Sequence, residues 1–350
     1  MDRPEIRILG VGTALPGPLI DNAELVRRFG LPEVWEQWID TFVGTSSRHF
    51  ALDLESGEVR YSLADLGEQA ARRALDAAGV EASEVDLMVM GSATPDKLMP
   101  STVTVVADRL GVDDISTYQL LSGCTGAIQA LDVACQMLTT GRHRTALVLG
   151  GDTCAKHLDP SIDLAELSLN MQVNAVLFGD AAGAAVLSTR DAPEAPVLRR
   201  VFTRLVGRGR EPGQTVDWYG WADRHSDREP VTEDFKAVEE SAPVMAAEAL
   251  QELLDDLDWK RTDLDYVLPP QLSGHMTRRV IEALDVPGAE VVSCVAEIGN
   301  TANAIPFIQL ERAIPEMAMG DRAAGVSVEA SKWIKAGYAV EMPDVSTGGV

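Results

Sequence analysis

Apolar residues recur along this chain at two alternating periods, and the alternation predicts strands and helices in turn. From Ser62 to Ala78, Leu63, Leu66, Ala70 and Leu75 fall on one helical face, and Gly79-Val80 ends the pattern. Val85-Asp-Leu-Met-Val-Met then reads as a buried strand. A second helical stripe joins Ala127, Ile128, Leu131, Ala134, Cys135 and Leu138 and stops at Gly141. Thr145-Ala-Leu-Val-Leu-Gly-Gly has no polar alternation, as expected of a strand in a sheet covered on both faces. Phe178-Gly-Asp-Ala-Ala-Gly-Ala-Ala-Val-Leu reads as a tight small-residue turn entering another such strand.

The second half repeats part of this plan. Pro243 to Leu257 reads as a helix, Arg261-Thr-Asp-Leu-Asp as a connection and Tyr266-Val-Leu as a strand. Glu84-Val-Asp-Leu-Met-Val-Met-Gly-Ser and Asp263-Leu-Asp-Tyr-Val-Leu-Pro-Pro-Gln both follow an amphipathic helix and a short acidic link. This self-similarity points to two related α/β halves, residues 1–188 and 240–341. Between them, residues 189–239 are rich in Arg, Gly, Asp and Trp and read as an irregular connection, and residues 342–350 as a disordered tail.

Composition narrows the function classes. The 350 residues are 46% hydrophobic, enough for a sizeable core, and no apolar run reaches membrane-spanning length. The first residues lack a secretory apolar core and pass straight into a strand-like stretch. Four cysteines without regular spacing or a CxxC pair fit a reduced cytoplasm rather than a disulfide framework or structural zinc. The net charge of −24 argues against nucleic acid, and an acidic partner would need a local basic patch. Arg199, Arg200, Arg204, Arg208 and Arg210 read as solvated surface, leaving Arg278 and Arg279 as the candidate patch.

The candidate chemistry centres on Cys124, in Tyr118-Gln-Leu-Leu-Ser-Gly-Cys-Thr-Gly-Ala. An apolar strand ends, a Ser-Gly turn follows, and a thiol falls where a helix begins. Unpaired N–H groups and partial positive charge at a helix start favour thiolate, which would make Cys124 a nucleophile. The same pattern equally fits a small buried hydrophobe.

Three segments together resemble the β-ketoacyl-ACP synthase III branch of the thiolase-like enzymes: the Cys124 loop, Gly179-Asp-Ala-Ala-Gly-Ala-Ala-Val-Leu, and Ile298-Gly-Asn-Thr-Ala-Asn-Ala-Ile-Pro. The resemblance spans about Arg7 to Val340. It implies a thiolase-like α/β fold of two duplicated halves in an αβαβα arrangement, and a homodimer. It also implies a cytoplasmic acyltransferase without a resident cofactor, whose acyl thioester arrives on acyl carrier protein or coenzyme A. Cys124 falls on the family's nucleophile and Asn300 on its active-site asparagine.

The resemblance fails at the catalytic histidine, where Pro270 stands in Pro269-Pro270-Gln271-Leu272-Ser273. Proline offers neither a side-chain donor nor a backbone N–H. His275 and Glu297 are the substitute acid/base candidates, and His49, His143, His157 and His225 read as structural or exposed. Trp38 matches the family's indole near the pocket mouth, but Phe42 and Gln172 replace the arginines that hold the coenzyme A nucleotide. Their loss favours a carrier-protein thioester, with Arg278 and Arg279 on the docking helix. Met99 falls where the family sends a side chain into the neighbouring subunit's acyl pocket. Glu329-Ala-Ser-Lys-Trp-Ile-Lys-Ala-Gly replaces the glycine-rich loop that helps form the oxyanion hole.

These departures leave acyl loading of Cys124 intact and weaken malonyl decarboxylation, whose enolate needs both histidine and asparagine donors. The sequence therefore predicts an acyl transferase or condensing enzyme of a specialised pathway. The alternative is a supporting, carrier-binding half of a heterodimeric ketosynthase.

Overall fold

The computed structural model describes residues 4–158, 160–161, 164–217, 223, 225 and 231–344. In the first half the strands are β1 (Arg7–Ala14), β2 (Leu19–Asp21), β3 (Ser47–His49), β4 (Leu87–Ser92), β5 (Ser116–Leu121), β6 (Thr145–Asp152) and β7 (Ala181–Ser188). They are followed by β8 (Val197–Leu205), β9 (Gln214–Val216), β10 (Val231–Glu233), β11 (Tyr266–Leu268), β12 (Glu290–Val291), β13 (Arg322–Glu329) and β14 (Ile334–Glu341). The helices are α1 (Asn22–Arg28), α2 (Val34–Trp38), α3 (Leu63–Ala78), α4 (Thr102–Leu110), α5 (Gly126–Thr139), α6 (Leu169–Leu177), α7 (Phe235–Leu257), α8 (Gly274–Leu284), α9 (Val295–Ile298) and α10 (Ile305–Ala313).

The main sheet runs β12-β11-β13-β14-β8-β1-β7-β6-β4-β5. It is two copies of one five-strand pattern, β1-β7-β6-β4-β5 and β8-β14-β13-β11-β12, joined where Arg7 pairs with Val197. The strand directions repeat as well. β4 lies parallel to β5 and β6, as β11 does to β12 and β13. β7 is antiparallel to β6 and β1, as β14 is to β13 and β8. The self-similar segments around Glu84 and Asp263 thus lead into equivalent strands, β4 and β11.

Helices α5 and α10 lie between the two half-sheets. Ala127, Ile128, Leu131 and Ala134 of α5 and Phe307 and Leu310 of α10 share one core with strands of both halves. α3 and α4 cover the outer face of the first half-sheet, and α7 and α8 that of the second. The layers therefore alternate αβαβα. Small residues let the central layer close up. A Cβ on Gly91 of β4 would lie 2.2 Å from the Gly126 carbonyl oxygen at the start of α5.

Two local expectations need correction. α7 starts at Phe235, not at Pro243, and carries Pro243 inside it. Asp234 caps it by accepting from the Ala237 N–H, and buried Val238 and Ala242 extend the apolar stripe ahead of the proline. The stretch read as irregular holds β8, β9, β10 and the first turn of α7, because β8 is the inner strand of the second half-sheet. Its arginines are largely paired: Arg199 with Glu5 and Glu341, Arg200 with Asp256, and Arg204 with Glu252. Of the expected tail, residues 345–350 lie outside the described residues.

Candidate active site

Cys124 sits between the end of β5 and the start of α5, partly buried, and lines a channel of about 240 Å³. Trp38, Phe42, His275 and Asn300 line the same channel, so the fold brings together five residues singled out in the sequence. The wall is mostly apolar, built from Val173, Leu177 and Phe178 on one side and Phe235, Val238 and Met245 on another. Such a wall suits an acyl chain. A second cavity of about 20 Å³ adjoins Cys124 and is lined by Pro270, Gln271, Asn300 and Tyr338 among others. Pro270 therefore lies beside Cys124 and Asn300.

Asn300 is buried and held by its backbone. Its N–H donates to the Leu177 carbonyl at 2.9 Å, and its carbonyl accepts from the Gly179 N–H at 3.1 Å. Its Oδ1 accepts from the Ala302 N–H at 3.0 Å, which leaves Nδ2 as the donor the cavity sees.

The electrostatics differ from the expectation for a helix start. The Cys124 thiol is pushed up to about 12, first by burial and then by the charges of Glu329, Asp152 and Glu233. Two of the N–H groups that were to favour thiolate are already taken, and the Cys124 N–H opposes the shift only weakly. Glu329 accepts from the Thr125 N–H, and Asn303 Oδ1 accepts from the Ala127 N–H at 2.8 Å. Glu329 is buried and also accepts from Ser122 Oγ at 2.9 Å, Thr125 Oγ1 at 2.5 Å and Ser331 Oγ. Asp152 is likewise engaged, by Ser92, Ala93, Thr94 and Asn303.

Other expected residues fall in varied places. Glu297 is turned away from the channel. Its side chain is 65% exposed and pairs with Arg312 at 2.8 Å, because α9 directs it outward although it lies three residues before Asn300. His275 is exposed in the first turn of α8, although it also lines the channel. Trp38 and Phe42 are 6.3 Å apart between ring centroids, and Phe42 is 64% exposed, so an apolar lip stands where a nucleotide-binding cation was sought. Arg278 is exposed on α8, while Arg279 is ion-paired with Glu239 of α7. Met99 is 86% exposed. In the turn after β13, Trp333 takes φ 62°, the left-handed conformation that glycine favours, and packs against the Arg210 guanidinium.

Glu233 is the residue that sequence reasoning missed. It ends β10, lines the channel, and acts electrostatically on Cys124. Burial pushes its carboxyl up to about 7 against a hydrogen bond from Asn174 of α6. No local motif marks it, since its position follows from pairing with Gln214 of β9.

Duplicated halves around two buried helices, with a cysteine at the start of one, define a thiolase-fold enzyme that handles acyl groups. Residues 118–203 match the 3-oxoacyl-[acyl-carrier-protein (ACP)] synthase III family, and residues 254–331 match its C-terminal part. A β-ketoacyl-[acyl-carrier-protein] synthase III of Sphingopyxis alaskensis is 34% identical over 307 residues, 87% of this chain and 88% of that protein. The solved structure of AbyA1, a tetronic acid condensing enzyme, superposes with a TM-score of 0.93 at 57% identity, covering 96% of this chain and 99% of that one. The priming β-ketosynthase of the R1128 polyketide biosynthetic pathway gives 0.82 at 27% identity over 98% of each chain. The chain belongs to the β-ketoacyl-ACP synthase III family and is a condensing enzyme of that acyl-transferring type.

Proposed function

We propose that this protein forms a tetronic acid ring from two thioesters, holding one as acyl-Cys124, without decarboxylating a malonyl group. The observation that carries this reading is Pro270 lining the small cavity together with Cys124 and Asn300. The likeness to a tetronic acid condensing enzyme supplies the class of product.

A tetronic acid is a five-membered lactone with a keto group, in its enol form, β to the ring carbonyl. A 3-acyltetronic acid, which also carries an acyl group on the carbon between those two positions, divides into a β-ketoacyl unit (ring carbonyl, that carbon and its acyl group) and a 2-hydroxyacyl unit (the ring keto carbon, the next ring carbon and the ring oxygen). The apolar channel suits the β-ketoacyl chain, which is loaded onto Cys124 as its carrier thiol departs. Loss of one proton from the carbon between its two carbonyls gives an enolate spread over both. That carbon attacks the 2-hydroxyacyl thioester, a C–C bond forms and the second carrier thiol leaves. The 2-hydroxyl then attacks the acyl-Cys124 carbonyl, the ring C–O bond forms and the Cys124 thiol is released. No carbon dioxide is lost.

Malonyl decarboxylation generates an enolate that calls for two donors, and loss of one costs about 10²–10³ in rate. A β-ketoacyl enolate is stabilised by its own second carbonyl, so Asn300 suffices as the protein donor. Phe42 in the lip and exposed Arg278 on α8 support a carrier protein rather than free coenzyme A as the donor of both units. The test is to supply a β-ketoacyl-carrier protein with a 2-hydroxyacyl-carrier protein and analyse products by mass. A lactone lighter than the two thioesters by two carrier thiols is expected. Efficient carbon dioxide release from a malonyl thioester instead would overturn the reading.

The self-association implied by the family is also part of the proposal. β5 is an edge of the main sheet, with Tyr118 44% and Leu121 70% exposed. A second copy pairing along β5 would cover them. Light scattering is expected to give twice the 37.6 kDa chain mass.

A further inference from the structure

We propose that Glu233 is the proton carrier of Cys124, taking the thiol proton as the acyl group is loaded and returning it to sulfur as the acyl group leaves. The proposal rests on the acyl-Cys124 part of the function above, and holds whichever acceptor follows.

The site creates a need for such a group. A thiol facing the charges of Glu329, Asp152 and Glu233 neither ionises readily nor departs readily as thiolate. Pro270 supplies no proton acceptor. Of the three carboxylates, Glu329 is tied by Ser122, Thr125 and Ser331, and Asp152 by the β4–α4 loop and Asn303. Both are structural acceptors that hold the start of α5. Glu233 instead lines the same channel as Cys124, at the place where β10 packs on α6 and leads into α7. The other acid/base candidates are worse placed: Glu297 pairs with Arg312 outside the channel, and His275 stands exposed on α8.

The proton count closes in each half-reaction. On loading, Cys124 Sγ attacks the thioester carbonyl while its proton passes to Glu233. The S–C bond forms, the carrier C–S bond breaks, and the departing carrier sulfur takes the proton from Glu233. On release, the attacking hydroxyl gives its proton to Glu233, the C–O bond forms and the C–Sγ bond breaks. Sγ then takes the proton, and the carboxylate is regenerated. A carboxyl near 7 is poised for transfer in both directions. The titratable groups sharing its channel are Cys124 from α5, Glu239 from α7, His275 from α8 and Glu329 from β13, and Asn174 of α6 is its neutral donor.

The test is single-turnover loading from a β-ketoacyl-carrier protein, followed by intact mass between pH 5.5 and 9. Wild-type loading is expected to rise through a limb near pH 7, set by ionisation of Glu233. Glu233→Gln should slow loading by about 10² and abolish that limb, and Glu233→Asp should restore part of the rate. Asn174→Leu keeps the carboxyl but removes the donor that holds it down, so it should move the limb to higher pH. The shift is read within a single folded variant, and a misfolded Glu233→Gln would not mask it. Glu233→Gln loading at the wild-type rate, or Asn174→Leu leaving the limb in place, would overturn the proposal alone. Wild type taking up no acyl group would overturn the acyl-Cys124 reading with it.

Discussion

The carboxylate of Glu329 accepts a hydrogen bond from the backbone N–H of Thr125, 3.3 Å away, at the residue that follows Cys124. A helix start that would otherwise favour a thiolate is thereby occupied by a fixed negative charge. The consequence is a partly buried thiol that stays protonated, with reactivity governed by proton transfer rather than by pre-ionisation. Glu329→Gln removes that charge, so the Cys124 thiol should fall towards its ordinary range. Alkylation by iodoacetamide at pH 8 is expected to speed up by about tenfold for each unit of that fall. A buried amide facing several donors should also cost about 1–3 kcal/mol of stability, read by urea unfolding. Unchanged or slower alkylation would count against the electrostatic account.

Gly91→Ala tests how the fold places the cysteine. The added Cβ would meet the Gly126 carbonyl oxygen at 2.2 Å, backbone against backbone, with no flexible side chain to yield. β4 and α5 must separate, and overpacking of this kind costs about 1–3 kcal/mol or more. Both a lower melting temperature and slower acyl loading are expected, because the start of α5 moves with Cys124. A variant as stable and as active as wild type would show that this close approach is not needed.

Asp180 should leave a signature in stability against pH. It is buried, accepts from the Ala51 and Ala155 N–H groups, and is pushed up to about 7 by desolvation. Between about pH 4 and pH 7 the folded state therefore holds a proton that the unfolded chain has lost, so this group's contribution falls as pH rises through that window. Relative to Asp180→Asn, which cannot ionise, wild type should lose melting temperature between pH 5 and pH 8. A constant gap across that range would contradict the assignment.

Carrier docking divides the two arginines of α8. Arg278 is exposed, whereas Arg279 is committed to Glu239. Arg278→Glu is expected to raise KM for a carrier-bound donor by about tenfold and to leave loading from a short pantetheine thioester unchanged, as for a charge that steers a partner. An equal effect on both donors would place Arg278 in some role other than docking.

Much of this site was legible in the chain because it is written locally. The strand–turn–helix around Cys124 and the Gly299-Asn300-Thr301 turn carry their conformations in adjacent residues, and both reach the cavity. The repeat linking Glu84 to Asp263 emerged because β4 and β11 occupy equivalent places in the two half-sheets. What was misread depends on tertiary packing. Glu297 is close to Asn300 in sequence, yet the single turn of α9 aims it at Arg312. Glu329 reads as part of a lost glycine loop, and only the arrival of β13 beneath α5 reveals it as an acceptor for Thr125. Glu233 lies in a three-residue strand within an Arg- and Gly-rich stretch, where no periodicity marks it. Pairing with β9 and packing by α6 bring it to the channel.

Intact-mass spectrometry of wild type and Cys124→Ala after incubation with a β-ketoacyl-carrier protein tests the central claim most directly. The account predicts that wild type gains the mass of one acyl group and that Cys124→Ala gains none. No gain on wild type, or a gain that survives in Cys124→Ala, would contradict it.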